Sequence, residues 1–174
     1  SAATAQRPKP VIDAVSEFLL TGNANPHRGA YTLGSMATDA YESARTRTAT
    51  FLGVPATELV MLGSATEALN LVARSWGKAN LSRGDVVLVT EAEPHANLIP
   101  WQQLAKRSGA ELKWFGVTSD GRLDESKIDS LITAKTKIVA VTQQSNVLGT
   151  IVPLKDIVSR AHAVGAVVVL DACQ

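Results

Sequence analysis

Five short apolar runs punctuate the chain: ELVMLG at 58–63, VVLVT at 86–90, LKWFG at 112–116, IVAVT at 138–142 and VVVLD at 167–171. They are short and mostly rich in valine, the composition of strands covered on both faces, so a parallel sheet is predicted. Between them the pattern changes to a helical period. Val11, Ala14, Val15, Phe18 and Leu19 recur at helical spacing behind Pro10, and Gly22 can close that helix. Residues 35–52 are polar-rich and free of Pro and Gly, which predicts a longer surface helix. Further helices are predicted at 65–76, 96–108, 125–133 and 154–164, the last ended by Gly165. Loops are expected at 22–29, 81–85 and 118–124, where Gly, Pro, Asn and Asp cluster. Strand and helix alternate, so the fold class is α/β: a mostly parallel sheet with helices on both faces, in one domain joined by right-handed crossovers.

Composition narrows the possibilities. With 174 residues, 45% hydrophobic and 19% charged, the chain can bury a real core. A net charge of +1 gives no electrostatic case for nucleic acid or an anionic membrane surface. No apolar run approaches the roughly 20 residues of a membrane helix. The single cysteine, Cys173, excludes an internal disulfide and fits a reducing, cytoplasmic setting. The opening SAATAQRPKP has neither an initiator Met nor the organisation of a signal peptide, so a segment of a longer sequence is expected.

Ligands of open α/β sheets bind beyond the carboxyl ends of the strands, which makes the residues just after each run informative. After the first comes GSATEALN, where Ala65 and Thr66 head a helix whose free N–H groups and dipole suit a phosphate; a Ser or Thr there also serves as a plain N-cap. After the second comes EAEPHANLIPW, with His95 at a helix head, as a cap, a packing residue or a catalytic group. Asn146, in QQSNVLG, is a turn former or a ligand contact. Asp171 ends the last strand and Gln174 follows it. A carboxylate there suits a partner carrying a buried proton, such as a ring nitrogen, or caps a following helix.

The segments SAATAQRP, HRGAYTL, ATEALNLV, PHANLIPWQ, SNVLGT and VLDACQ together resemble the class V aminotransferase group of fold-type I pyridoxal-phosphate enzymes, and most of all the Suf-type cysteine desulfurases. The resemblance runs through the whole chain. It implies pyridoxal 5'-phosphate as cofactor, with Thr66 and the Ala65 backbone on the phosphate, Asp171 on the pyridine nitrogen and Gln174 on the ring phenolic oxygen. It places His27 and Asn146, and the backbone of Ala2 and Ala3, toward an amino-acid substrate. It also implies that this chain is the N-terminal part of a large domain over 1–174, the cofactor-bearing lysine and the sulfur-accepting cysteine lying beyond it or in a second chain. A dimer, a sulfur-acceptor protein and a role in iron–sulfur cluster assembly follow from the same resemblance.

The chain departs from the family pattern at two places. Pro94 stands where the family usually has the histidine that stacks on the ring, although His95 beside it is retained. Gln143 and Gln144 stand where related sequences often carry a histidine. Cysteine desulfuration is the leading expectation. A carbon–sulfur lyase, an amino-acid epimerase and a non-catalytic subunit supplying cofactor ligands are the alternatives. An unrelated nucleotide-binding domain is disfavoured, because neither G-x-G-x-x-G nor G-x-x-x-x-G-K-[ST] occurs.

Overall fold

The runs read as strands at 86–90, 138–142 and 167–171 are strands, and the run near 112–116 is one from 111. The computed structural model describes residues 4–174, which divide into two units, 4–61 and 62–174.

In the first unit, α1 (Lys9–Glu17) continues into a single π turn, Phe18–Gly22. Helix α2 (Thr32–Leu52) starts three residues earlier than the polar run suggested. It stops at Gly53, whose φ of 71° is the left-handed conformation that closes a helix. The Val54 N–H then reaches back to the Ala49 carbonyl at 3.0 Å.

The second unit holds the sheet. Helix α3 (Ala65–Val72) runs through a π turn, Ala73–Gly77, into the short α4 (Lys78–Asn80). Strand β1 (Val86–Thr90), α5 (His95–Ser108) and β2 (Glu111–Phe115) follow, then α6 (Ile128–Leu131), β3 (Thr136–Thr142), α7 (Leu154–Ala163) and β4 (Val167–Asp171). The four strands are parallel in the order β2-β1-β3-β4. The chain therefore steps from β1 to β2 on one side and returns past β1 to β3 on the other. That reversal opens a crevice at the carboxyl ends of β1 and β3, the place where such sheets hold ligands.

Alternate residues of the two central strands feed two cores. Leu88, Val139 and Val141 pack with Phe115, Ile128, Ile157 and Ala161 on one face. Val87, Val89, Ile138 and Ala140 pack with Ala73, Trp101 and Leu104 on the other. Both faces are thus covered by helices, and this accounts for unbroken valine runs rather than alternation.

One predicted strand is absent. Residues 58–63 form no ladder among the described residues, and Val60, Met61 and Leu62 are exposed. Strand-like composition is not enough; backbone N–H and C=O groups need a paired neighbour, and the sheet offers none to this segment. The helix expected over 125–133 is likewise reduced to a 3₁₀ turn, Glu125–Lys127, and the four residues of α6.

Candidate functional site

The carboxyl ends of three strands lie side by side. Thr142 and Asp171 are register partners at the ends of β3 and β4, and the Gln143 N–H donates to the Asp171 carbonyl at 2.8 Å. Asp171 is only 5% exposed. Its Oδ1 accepts the Cys173 N–H at 3.2 Å, and among the described residues no lysine or arginine forms an ion pair with it. A buried carboxylate without a cation is costly unless a partner supplies positive charge or protons. The hydrogen bond to Asp171, then burial, pushes the Cys173 thiol up, so Cys173 is held as a thiol beside the carboxylate.

Between β1 and β3 the crevice is spanned by Glu93. The Thr90 hydroxyl at the end of β1 and the Thr142 N–H at the end of β3 donate to its Oε1, at 2.6 and 2.9 Å. The Asn97 amide in the first turn of α5 donates to Oε2 at 2.7 Å. The fully buried Trp101 donates its indole N–H to Asn97 Oδ1 at 2.9 Å. Burial pushes the Glu93 carboxyl above its ordinary value; the three donors pull it down, and the charge of Asp171 adds to the upward push.

A cavity of about 380 Å³ opens at this corner, lined by Glu91, Glu93, Pro94, His95, Asn146 and Leu148 among others. Pro94 is the N-cap residue of α5, with φ −65° and ψ 152°, and offers no side-chain cap. His95 is exposed at the helix head. Asn146 is carried on a turn tied down by the buried Ser145, whose Oγ accepts the Val147 and Leu148 N–H groups and whose carbonyl accepts Gly149 N–H at 2.9 Å. So the structure brings Pro94, His95 and Asn146 to one cavity.

The start of α3 is built by a capping box. Ser64 Oγ accepts the Glu67 N–H at 3.1 Å, and Glu67 Oε2 accepts the Gly63 N–H at 2.8 Å. The cap is therefore Ser64 and not Thr66. This leaves the N–H groups of Ala65 and Thr66 without an acceptor among the described residues, as a phosphate site at a helix start requires. Helix α3 packs against α5.

Gln174 is exposed at the end of the chain. His27 lies in the first unit, at φ 60°; its ring pairs with Glu42 Oε1 at 2.8 Å and meets Tyr41 edge-on at 5.5 Å. The Arg45 guanidinium, and then His27, hold the Glu42 carboxyl below its ordinary value. Ala2 and Ala3 lie outside the described residues. Glu93 was missed in the sequence, although it too follows a strand end, and the rule that singled out Asp171 would have found it.

Asp171, buried and without an ion pair among the described residues, is fitted to hold a protonated group, and the open N–H pair at the start of α3 is fitted to hold an anion such as a phosphate. Among the described residues no His, Cys, Asp and Glu group is arranged to hold a metal ion, and no helix is long and apolar enough to cross a membrane.

The sequence model of the aminotransferase class-V family matches residues 1–174. The chain is 51% identical, over 180 residues, to a probable cysteine desulfurase 2 of Mycobacterium leprae, covering all of this chain and 42% of that protein. It is 47% identical to a cysteine desulfurase of an Enterobacter species, covering 43% of it. The apo structure of a cysteine desulfurase from Thermococcus onnurineus NA1 superposes with a TM-score of 0.92 at 38% identity, over 98% of this chain and 42% of that one. The chain thus spans less than half the length of the curated relatives it matches.

Proposed function

This chain belongs to the aminotransferase class-V family, and on that premise we propose that it is the N-terminal part of a pyridoxal-phosphate-dependent cysteine desulfurase. The observation that carries the reading is the buried carboxylate of Asp171 at the end of β4, without an ion pair among the described residues and beside the crevice between β1 and β3. Pyridoxal phosphate, when bound, supplies an electron sink for bonds broken at the substrate amino acid. Asp171 holds the proton on the ring nitrogen, the N–H groups of Ala65 and Thr66 with the Thr66 hydroxyl bind the phosphate, and Gln174 hydrogen-bonds the ring phenolic oxygen. Pro94 covers a ring face. By the family resemblance alone, Asn146, His27 and the backbone of Ala2 and Ala3 are the residues that would meet the amino acid. The names of the relatives support L-cysteine as substrate. Sulfur then passes to a cysteine outside this segment, and the lysine that carries the cofactor also lies outside it. A dimer, a sulfur-acceptor protein, supply of iron–sulfur cluster assembly and a cytoplasmic setting belong to the same proposal.

The test uses the complete protein with pyridoxal phosphate, L-cysteine and a thiol reductant. Equal amounts of alanine and sulfide are the expected products. Pyruvate and ammonia in place of alanine would identify a carbon–sulfur lyase, and D-amino acid an epimerase. Failure to bind the cofactor at all would remove the reading itself. Pro94 refines the test: a proline gives dispersion contact but neither aromatic stacking nor a titratable group. Pro94→His should strengthen cofactor retention and raise sulfide release. If His95 has taken over the chemistry instead, Pro94→His changes little and His95→Ala abolishes activity.

A further inference from the structure

Glu93 joins three elements, two adjacent to it in the chain and one distant: the end of β1 through Thr90, the first turn of α5 through Asn97, and the end of β3 through the Thr142 N–H, 49 positions away. Its bond partners leave little freedom. Trp101 can only donate, which fixes Asn97 Oδ1 as acceptor and turns the Asn97 NH₂ toward Glu93. Thr90 Oγ1 already accepts the Ala92 N–H at 3.2 Å, so its proton also points to Glu93. Three donors thus converge on one carboxyl. The charged or titratable groups around it are Asp171 from β4, with Cys173 behind that residue, and Glu91 and His95 from its own connection. No lysine or arginine ion pair reaches it among the described residues.

We propose that Glu93 is a positioning residue for the cofactor, holding the ends of β1 and β3 and the Pro94–His95 corner as one piece and adding a second negative charge beside Asp171 that favours a protonated ring nitrogen. The inference rests on the pyridoxal-phosphate reading. Two carboxyl groups near one strand end make that place favourable for a cation, and a cation there would offset the repulsion by which the charge of Asp171 pushes the Glu93 carboxyl up. Glu93 contributes no atom to the reaction; it acts through Asp171 and through the shape of the corner.

The complete protein is loaded with pyridoxal phosphate labelled with ¹⁵N in the ring, as wild type, Glu93→Gln and Glu93→Asp. Folding is checked by circular dichroism. Cofactor affinity and the ring-nitrogen chemical shift are then read without substrate. Glu93→Gln should weaken cofactor binding about tenfold, as expected when an acceptor of three hydrogen bonds is taken from a partly buried network, and should move the ring nitrogen toward its deprotonated position. Glu93→Asp keeps the charge but not the reach, so it should restore the nitrogen signal while leaving the affinity reduced. Wild-type affinity and an unmoved signal in Glu93→Gln would overturn the proposal. So would weaker binding with an unmoved signal, which would leave Glu93 a packing residue only. If Glu93→Gln does not fold, Glu93→Ala takes its place: reduced affinity with a displaced signal supports the role, and wild-type affinity or an unmoved signal removes it. A wild-type protein that takes up no pyridoxal phosphate would refute the underlying reading rather than this residue's part in it.

Discussion

The indole N–H of Trp101 donates to Asn97 Oδ1 at 2.9 Å, with both residues fully buried one helical turn apart on α5. This bond fixes the Asn97 amide with its NH₂ toward Glu93 Oε2. Trp101→Phe keeps most of the packing and leaves the Asn97 carbonyl oxygen buried without a donor. An unsatisfied buried acceptor costs about 1–3 kcal/mol, so a loss of that size is expected in urea unfolding. A change below about 0.5 kcal/mol, the range of ordinary surface substitutions, would show that water or a rotated Asn97 replaces the bond.

The pH dependence of stability follows from the raised pKa of Glu93. Burial is the largest cause, so the folded state binds the Glu93 proton more tightly than the unfolded state does. The stability this provides is fully present below the ordinary value of 4.5 and is lost as pH rises from there through the raised folded value. Glu93→Gln cannot titrate. The unfolding midpoint of the wild type relative to Glu93→Gln should therefore fall across that window, and a difference independent of pH would contradict the assignment.

Ser64 and Thr66 should separate stability from binding. Ser64→Ala removes the Oγ acceptor of the capping box and should cost about 0.5–2 kcal/mol. Thr66→Val leaves both capping bonds in place, so it should change stability less and, in the complete protein, weaken cofactor retention more. Thermal melts and cofactor dissociation measured on the two variants give the comparison. Equal effects of both on both readouts would show that Thr66 is only part of the helix start.

Cys173 should alkylate slowly at neutral pH although it is exposed, because the hydrogen bond to Asp171 and then burial keep it protonated. Asp171→Asn removes the negative charge and should move the alkylation profile of the cofactor-free protein to lower pH. An unchanged profile would mean that the carboxylate does not govern the thiol.

Much of this was legible in the chain itself. The runs at 86–90 and 138–142 state their own secondary structure, because unbroken valine suits strands buried on both faces, and the run at 167–171 forms a strand of the same composition although its valines are only half-buried. Asp171 could be recognised as a ligand candidate for the same reason: a carboxylate at the tip of such a strand must meet a partner. The capping residues are legible in kind, since S-A-T-E carries its own bonding pattern, but a Ser and a Thr two positions apart both suit the cap, and only the structure assigns it to Ser64.

What the sequence could not decide depends on neighbours. Residues 58–63 have a strand's composition and no strand's ladder, because pairing is a property of two segments and not of one. The order β2-β1-β3-β4 places the ends of β1 and β3 side by side, and only that crossover lets Glu93 reach the Thr142 N–H. A local pattern records which faces a segment hides from water. Which strand ends become neighbours, and therefore which carboxylate spans the crevice between them, is set by loop closures of tens of residues, and only the tertiary structure decides it.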